Sequence, residues 1–559
     1  MNELTNKAQI KNIIKHGLVP ALFYYVLFCL LTFPLIFNFS TRFFTDAGDG
    51  LQNVWNIWWI NTAIHQPGLH PSIWYTDMLH WPFGTTLLGQ TLNPFNGLVS
   101  VGLLRFMSLV ETFNTLILFA FVMGGVTAYW LSYYLTRSSW GSLTAGFVFT
   151  FSNYHFAHYY GHMQLVSLEW IPLFVLCWYV LITKPNVLLA VASALTLWLV
   201  LLCDYYYFFY CVLTGGLIVL WHMIEKRNIW FIVRREYLIP LVVFVTGALT
   251  LTGAVVFPLM ITSRLDPFLD AHNPLNFSLD LLALFIPGEG WRLGYLTEGY
   301  WSKLSLGLSE SSVYLGYAVV ILLVYLWRKR RSVEFTSQMY FWFFLIGFFF
   351  LMALGPALQV GGEIVYNALM PYTILETVLP FLKLSGVPIR MVVMVTLSAS
   401  VLSAMALQVL IRSTPRKSVI TSLVMLLMLF EYLPASLPST STEMPDYVTA
   451  LAELPNDGGA LDRMAPTRYL QLYYQTAHQK PLTFGYVSRL PASVADKEVG
   501  LMRAVNRGDY VKLWDEYNIR YIVTDSVIEY DNPYVLVELV YQDDAARIYR
   551  LECKCKNGE

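Results

Sequence analysis

The stretch Thr41-Arg-Phe-Phe-Thr-Asp-Ala-Gly-Asp-Gly-Leu-Gln-Asn-Val-Trp-Asn-Ile-Trp-Trp59 follows the first long apolar run of the sequence, Pro20–Phe37. It carries two carboxylates, Asp46 and Asp49, at the point where the chain should leave a bilayer. Asp49 lies between glycines, so the backbone can turn tightly there and bring the carboxylate close to a partner. The tryptophans that follow have helical spacing and suit a membrane–water boundary. The sequence therefore predicts a functional loop at the membrane surface, with the rest of the chain arranged around it.

Composition places the chain among multi-pass membrane proteins. Hydrophobic residues make up 56% of its 559 residues and charged residues only 13%, and the mean hydropathy is +0.52. A soluble protein of this size needs far more charge to cover its surface. The net charge of −1 comes without any basic face, which argues against nucleic acid as a partner.

Apolar runs of spanning length predict an all-α transmembrane bundle of about eleven helices over residues 1–433. The third run is the shortest. The runs are Pro20–Phe37, Leu116–Leu135, Gly141–Ser152, Leu165–Ile182, Asn186–Leu202, Tyr205–Ile224, Tyr237–Phe257, Ser311–Trp327, Met339–Leu354, Met391–Ile411 and Val419–Leu433.

Lysines and arginines in short loops predict the orientation of such a bundle. With eleven helices and a cytoplasmic N-terminus, every basic segment falls on the cytoplasmic side of the cell membrane. The basic residues are Lys7, Lys11, Lys15, Arg137, Lys184, Lys226, Arg227, Arg234, Arg235, Arg328-Lys-Arg-Arg331, Arg412, Arg416 and Lys417.

The external side then receives two long loops, about residues 40–115 and 258–310, and everything after residue 433. The segment Glu363–Phe381 is too short to span comfortably, which predicts a helix lying on the membrane surface. Residues 434–559 are richer in charge and contain short β-rich runs, which predict a small external α/β domain. Alternation in Ala546-Arg-Ile-Tyr-Arg-Leu551 suggests an edge strand.

Three histidines form the second candidate feature. His155, His158 and His162 fall at i, i+3 and i+7, so a continuous helix would place them on one face. They would then bind a divalent metal or donate hydrogen bonds to a phosphate. Ordinary polar interface residues are the alternative, and Gly161 would interrupt the helix. Gln164 closes this candidate substrate-binding stretch.

Acidic residues in the external segments are further candidates for substrate binding. Asp204 follows one apolar helix and precedes three tyrosines, so it either caps the next helix or lines a cavity. Asp280 and Glu310 lie in the second long loop, which would hold substrate or be an ordinary solvated loop. Asp46 and Asp49 are likewise either catalytic carboxylates or N-cap residues.

Arg390 is the candidate phosphate ligand. It lies in Lys383-Leu-Ser-Gly-Val-Pro-Ile-Arg390, at the outer end of the tenth predicted helix, and Pro388 restricts the backbone before it. A fixed guanidinium at the level of lipid headgroups suits a phosphate or diphosphate of a lipid carrier. Snorkelling of the side chain toward the interface is the alternative.

Taken together, these features resemble the GT-C superfamily of integral-membrane glycosyltransferases. The shared pattern is an acidic first external loop, many spans and an external C-terminal domain, and the resemblance covers nearly the whole chain. More locally, the chain is similar to uncharacterised prokaryotic members in these segments: Gly48-Asp-Gly50, His158–His162 with Glu169-Trp-Ile-Pro172, Val313-Tyr-Leu-Gly-Tyr317, Leu354-Gly-Pro356, Gly386-Val-Pro-Ile-Arg390, Tyr473-Tyr-Gln-Thr-Ala-His-Gln-Lys-Pro481 and Gly485-Tyr-Val-Ser-Arg489.

The resemblance implies an inverting enzyme of the cell envelope. Such enzymes move a sugar from a polyprenyl-phosphate donor to a glycan, lipid or protein acceptor on the non-cytoplasmic face. By resemblance, Asp49 is the base, Arg390 holds the donor phosphate, and the His155–His162 segment helps form the site. An Asp-x-Asp sequence is absent from the second loop, and Asp49 is followed by Gly50 rather than by glutamate. These departures leave a metal cofactor as an open alternative.

Two other functions stay open from the sequence. A transporter or flippase of a lipid-linked or polar substrate would show an internal repeat and broken helices at mid-membrane, and the sequence shows neither clearly. A non-catalytic membrane scaffold with an external binding domain would not need Asp49.

Overall fold

The computed structural model describes residues 12–68, 70, 72–269, 272–304, 308–333, 335–379, 382, 386–412 and 415–554. Two of the basic residues that predict the orientation, Lys7 and Lys11, lie outside these ranges. The chain divides into two compact units. The first comprises Met1–Asn38, Asn114–Ala254 and Ala271–Pro438, and the second comprises Phe39–Phe113, Val255–Asp270 and Ser439–Glu559.

Each of the eleven predicted apolar runs contains a helix, which confirms a mostly helical membrane protein. Six helical segments are long and apolar enough to cross a membrane: Ile14–Leu31, Leu109–Thr136, Tyr205–Lys226, Arg235–Leu265, Thr336–Ala353 and Pro388–Arg412. The remaining helices in the predicted runs are Ser139–Thr150, Trp170–Thr183, Val187–Cys203, Tyr317–Arg328 and Lys417–Glu431. The number of spans and their orientation stay predictions.

One helix forms the centre of the first unit. In Val392–Arg412 all but three of the residues are buried, and the apolar window of the Pro388–Arg412 segment is 94% buried inside the protein. Helices Ser139–Thr150 and Thr336–Ala353 pack against it. An apolar helix buried all round belongs to a protein interior rather than to a lipid-facing surface.

Short polar side chains cap the N-termini of several of these helices. The Oγ of Ser138 accepts a hydrogen bond from Gly141 N at 3.2 Å. The Oδ1 of Asn186 accepts from Leu188 N at 2.7 Å. These N-caps satisfy backbone donors that have no partner within the first turn of a helix.

Several helix boundaries differ from the predicted ones, and two of the differences have clear reasons. The first helix ends at Leu31 instead of continuing to residue 37, because Pro34 cannot continue the hydrogen-bond ladder. The eighth begins at Tyr317 instead of Ser311, because Gly316 adopts a φ of +92°. That left-handed backbone conformation suits glycine and interrupts a helix.

The surface helix predicted over Glu363–Phe381 is also wrong in its first part. Glu363–Tyr366 is a β-strand that pairs antiparallel with Leu358–Val360, and a helix covers only Pro371–Val378. Gly361 and Gly362 both have positive φ, so they turn the chain into a hairpin. The last two residues of the predicted helix lie outside the described ranges.

The second unit contains a four-stranded sheet. Strand Gly459–Asp462 pairs parallel with Ile519–Thr524. Arg547–Cys553 lies between Ile519–Thr524 and Val535–Gln542, antiparallel to both. The predicted edge strand is therefore an interior strand, in which Ile548, Tyr549 and Leu551 are buried.

Helices and two-residue strand pairs complete both units. In the second unit the helices are Asp49–His65, Pro94–Leu103, Asp446–Glu453, Arg468–His478, Ala492–Arg507 and Tyr510–Asp515, and the short strands are Arg42–Phe43, Tyr75–Thr76, Thr85–Thr86 and Thr440–Ser441. In the first unit the short helices are Asn153–Tyr159, Met163–Val166, Glu298–Trp301 and Leu308–Ser311.

The tryptophans of helix Asp49–His65 lie in a protein core and not at a membrane boundary. Trp55 and Trp59 are fully buried and stack with ring centroids 5.7 Å apart. Trp55 Nε1 donates to Gln475 Oε1 at 2.7 Å. The core also contains Leu472 and Leu482. The tryptophans therefore pack against the C-terminal segment, and not against the membrane surface that their sequence pattern suggested.

We expect Gly141→Ala to destabilise the protein. A Cβ at this position would lie 2.6 Å from the Ala404 carbonyl oxygen on the central helix, and forcing two helices apart costs about 1–3 kcal/mol. The measurement is the thermal unfolding midpoint of the purified protein. Gly216→Ala is the matched control, because no atom of the described residues beyond its own helical turn lies within 4 Å of a Cβ there. Equal midpoints for the two variants would contradict the close packing described here.

Candidate functional site

A buried ion pair lies at the start of the central helix. The Nε of Arg390 donates to Glu310 Oε1 at 3.1 Å, and Nη2 donates to the same oxygen. Arg390 is 5% exposed and Glu310 is 6% exposed. The guanidinium also lies 4.8 Å from the centre of the Tyr206 ring. Two parallel N–H donors are the arrangement by which arginine recognises carboxylates and phosphates.

The charges of this pair depend on each other. Burial alone would raise the pKa of Glu310, but the charge and hydrogen bond of Arg390, together with His158 and His162, outweigh burial, and the pKa of Glu310 is lowered to about 2. Glu310 is therefore ionised at neutral pH. A buried charge is tolerated only when a partner of opposite charge compensates it.

Two histidines lie beside the ion pair. The Nδ1 atoms of His158 and His162 are 3.5 Å apart, and the ring of His158 meets the Tyr154 ring edge to face. His158 is fully buried. Burial lowers the pKa of His158 well below its ordinary value, although the charge of Glu310 opposes this. A neutral imidazole offers a lone pair to a cation or to a hydrogen-bond donor.

These residues fit a divalent metal ion. His158, His162 and Glu310 each offer a ligand atom, and these atoms lie within 4.8 Å of one another. The Nε2 of His158 is buried and makes no hydrogen bond to any described residue. Two imidazoles and a carboxylate form a common ligand set in zinc enzymes, in which a fourth position stays open.

His155 does not belong to this group. The helix that carries it, Asn153–Tyr159, ends before His162, so the three histidines do not share one face. The Nδ1 of His155 lies 2.6 Å from Thr150 O and its Nε2 lies 2.8 Å from Val166 O. The ring stacks on Phe121. These contacts indicate a structural role for His155.

Asp204 caps a helix, and the positive charge of Arg390 affects its pKa. Its Oδ1 accepts hydrogen bonds from Tyr206 N at 2.8 Å and Tyr207 N at 3.1 Å. Burial raises the pKa of Asp204 to about 6, against the lowering effects of the Arg390 guanidinium and these two N–H groups. Of the two alternatives that the sequence left open, the hydrogen bonds confirm the helix cap, and the lining of a cavity stays a prediction.

Tyr206 and Tyr154 were missed by the sequence analysis. Tyr206 lies under the Arg390 guanidinium, and the hydroxyl of Tyr154 is 3.0 Å from that of Tyr207. The run of three tyrosines directly after Asp204 was the available signal, because aromatic faces attract cations.

The remaining candidates in the first unit have internal contacts. Asp280 Oδ1 accepts from Tyr300 Oη at 2.8 Å, and its Oδ2 accepts from Gly362 N at 2.9 Å. These bonds connect separate loop segments, which is a structural role. Gln164 is buried, and its side-chain oxygen makes no hydrogen bond to the described residues.

The first-loop carboxylates lie in the second unit. Asp46 Oδ1 accepts from Gly48 N and Gly50 N, both at 3.0 Å, so Asp46 fixes the turn before helix Asp49–His65. Asp49 is the first residue of that helix. Gly50 is required by packing, because a Cβ there would lie 2.0 Å from Thr45 Oγ1.

Tyr469 from the C-terminal segment contacts Asp49, and Tyr486 packs against Tyr469. The hydroxyl of Tyr469 hydrogen-bonds to the Asp49 carboxylate, and burial together with this carboxylate raises the pKa of Tyr469. The ring of Tyr486 lies 4.6 Å from the Tyr469 ring. Gln52 Nε2, one turn along the helix from Asp49, donates to Ser488 Oγ at 2.8 Å. The sequence analysis did not single out either tyrosine as a site residue.

The candidate residues thus fall into two groups, one in each unit. Arg390, Glu310, His158, His162 and Asp204 form the group in the first unit, which we call the arginine–histidine cluster. In the second unit, Asp46 and Asp49 lie beside Tyr469.

Comparison with solved structures identifies the fold. The chain is similar to a mutant form of the arabinofuranosyltransferase AftD from mycobacteria, with a TM-score of 0.52 and 14% sequence identity, over 95% of this chain and 41% of that one. This chain therefore spans about two fifths of the AftD length. ArnT from Cupriavidus metallidurans, solved bound to undecaprenyl phosphate, matches with a TM-score of 0.48 and 10% identity over 95% of this chain and 97% of ArnT.

The likeness shows that the chain has the GT-C fold that its sequence predicted. No match was found among curated proteins. Residues 21–430 match the family described as "Domain of unknown function (DUF6311)". Because this match extends over most of the sequence, the chain belongs to the DUF6311 family.

Proposed function

We propose that the protein is a membrane glycosyltransferase. It takes a sugar from a polyprenyl-phosphate donor and moves it, with inversion, to a glycan, lipid or protein acceptor on the non-cytoplasmic face. The observation that carries the proposal is the buried Arg390 guanidinium at the start of the central helix, beside Glu310 and two histidines. The GT-C fold supports it. The proposal includes the predicted orientation, with the N-terminus in the cytoplasm and the C-terminal domain outside.

In this proposal Arg390 binds the donor phosphate. Its Nε and Nη2 face the same carboxylate, and phosphate oxygens match this pair of donors as well as carboxylate oxygens do. A phosphate would replace Glu310 as the acceptor. The positive charge then stabilises negative charge that develops on the leaving phosphate, in a site from which water is largely excluded.

We further propose that His158, His162 and Glu310 hold a divalent cation. Such a cation would supply Lewis-acid stabilisation of the phosphate. The Glu310 carboxylate is the shared element, because it either balances Arg390 or serves as a ligand. Asp204, whose pKa lies near 6, adds negative charge to the same cluster only above that pH.

Asp49 is the proposed base toward the acceptor hydroxyl. This assignment rests on the resemblance and on the surroundings of Asp49 in the second unit. The hydrogen bond from Tyr469 orients its carboxylate, and Asp46 fixes the turn before it. We propose that Asp46 positions the loop.

The central experiment separates donor binding from transfer. We expect Arg390→Lys to weaken binding of polyprenyl phosphate at least tenfold, because a lysine keeps the charge but loses the paired donors. We expect Asp49→Asn to bind polyprenyl phosphate normally but to lose sugar transfer at least 100-fold. Binding is measured by native mass spectrometry, and transfer with a panel of radiolabelled polyprenyl-phosphate sugars.

Two variants serve as controls. Arg328→Lys changes an exposed arginine at the end of another helix of the first unit, and Asp509→Asn changes a helix-capping carboxylate of the second unit. Transport of the donor lipid without sugar transfer would favour a flippase. Normal activity of Asp49→Asn would remove Asp49 as the base.

The ion pair also predicts a pH dependence of stability. The pKa of Glu310 is about 2 in the folded protein and 4.5 ordinarily, so its contribution is complete above pH 4.5 and is lost as the pH falls toward 2. We expect the wild type to lose roughly 3 kcal/mol more than Glu310→Gln over this range. Thermal unfolding at a series of pH values measures this difference. If Glu310→Gln does not fold, the double variant Glu310→Gln/Arg390→Met serves as the comparison protein instead, because it removes both buried charges. Parallel pH curves would contradict the pairing.

The metal proposal predicts saturable cation binding. We expect the purified protein to bind one Mn²⁺ or Zn²⁺ in calorimetric titration, and His158→Ala to weaken the affinity at least tenfold, because one of three ligands is lost. His65→Ala is the control, since His65 is exposed and lies in the second unit. Absence of binding by the wild type, or equal affinity in His158→Ala, would refute the metal site.

A further inference from the structure

A cavity lies at the far end of the central helix from Arg390. It measures about 940 Å³, and all of its lining residues belong to the first unit. Helix Val392–Arg412 has 21 residues, so its two ends are separated by about 30 Å. The cavity is therefore distinct from the arginine–histidine cluster. Its volume falls in the range of small-molecule sites.

Four basic side chains from different helical segments line this cavity: Lys15, Arg137, Arg412 and Lys417. The described lining includes no acidic residue. Polar side chains such as Ser139 lie between the cations. All four side chains are exposed, and together they give the cavity a positive potential that attracts anions.

The backbone adds to the positive character of the cavity. Helices Ser139–Thr150, Thr336–Ala353 and Lys417–Glu431 each begin at or beside it, since residues of their first turns are in the lining. The N-terminal end of a helix carries partial positive charge. Three such ends together with four cationic side chains favour a ligand that carries negative charge.

Arg137 has an unusual backbone for its residue type. It follows helix Leu109–Thr136 with a φ of +56°, a left-handed conformation that glycine adopts at lower cost. Its guanidinium lies 5.8 and 5.4 Å from the Tyr133 and Tyr134 rings. An arginine with this backbone conformation, whose guanidinium lies near two aromatic rings in the lining of a cavity, points to a role for its charge.

We infer that this cavity binds a phosphate-bearing anionic headgroup. Lys15 and Arg137 of the lining are exposed, and Trp140 supplies an amphipathic ring of the kind that lies at the membrane surface. The ligand class is a phosphate mono- or diester, either as the headgroup of an anionic lipid or as a free phosphate compound. The predicted orientation places this cavity on the cytoplasmic side, where the surface of a membrane carries anionic lipids.

The test uses the purified full-length protein and three probes. Phosphatidylglycerol carries a net negative phosphate, phosphatidylcholine carries the same phosphate with a compensating cation, and inorganic pyrophosphate has no acyl chains. We expect phosphatidylglycerol to bind at least tenfold more tightly than phosphatidylcholine in native mass spectrometry. We expect Lys15→Gln/Arg137→Gln to lose at least tenfold of that affinity.

A charge-matched control isolates the cavity. Lys226→Gln/Arg227→Gln removes two basic residues at the end of helix Tyr205–Lys226, which do not line the cavity. If pyrophosphate binds to the wild type, and the cavity variant but not the control variant loses this binding, the ligand is a free phosphate compound. If pyrophosphate does not bind, and the cavity variant alone loses binding of phosphatidylglycerol, the ligand is a lipid headgroup.

Equal affinities of the cavity variant and the control variant would overturn the inference. So would equal binding of the two lipids together with no binding of pyrophosphate. Lys417→Gln is a second cavity variant in case the double variant does not fold, because Lys417 is exposed at the start of its helix.

Discussion

The buried pair of Arg390 and Glu310 is the constraint on which the first unit depends. Arg390 begins the most deeply buried long helix, and its partner lies 80 residues earlier in the chain. Neither charge can stay buried without the other, so the loop that carries Glu310 must return to the start of this helix. His158, Asp204 and Tyr206 are then arranged around a fixed positive charge, and burial decides the direction in which the pKa values of His158 and Asp204 move.

The same pair gives the site a built-in exchange. Glu310 has one carboxylate and two prospective partners, the Arg390 guanidinium and a cation held by the histidines. In the proposed function, an anion bound to Arg390 would release Glu310, and a cation bound to Glu310 would release Arg390. Binding of the two ligands would then be mutually reinforcing, and thermodynamic linkage requires the effect to be equal in both directions.

The sequence predicted most of the first unit because a spanning helix is specified by its length and apolarity alone. It could not predict the partner of Arg390, because nothing near Glu310 marks a contact 80 residues away. Hydropathy also cannot tell a membrane boundary from a protein core, and so Trp55 and Trp59 were assigned to the wrong environment. The strand at Glu363–Tyr366 was missed because two glycines, rather than the apolar pattern, decide the local structure there.

The core around Trp55 has a consequence for how the protein is made. Trp55 meets its partner Gln475 across 420 residues, and Gln52 meets Ser488 across 436. At ordinary rates of translation, these partners emerge on the order of half a minute after the helix that begins at Asp49. During that interval the tryptophans have no completed core to enter, and the bilayer surface or a chaperone must shield them. The surroundings of Asp49 are therefore completed only late in synthesis, so a chain that stops before residue 468 would have its first-loop carboxylate but not the tyrosine that orients it.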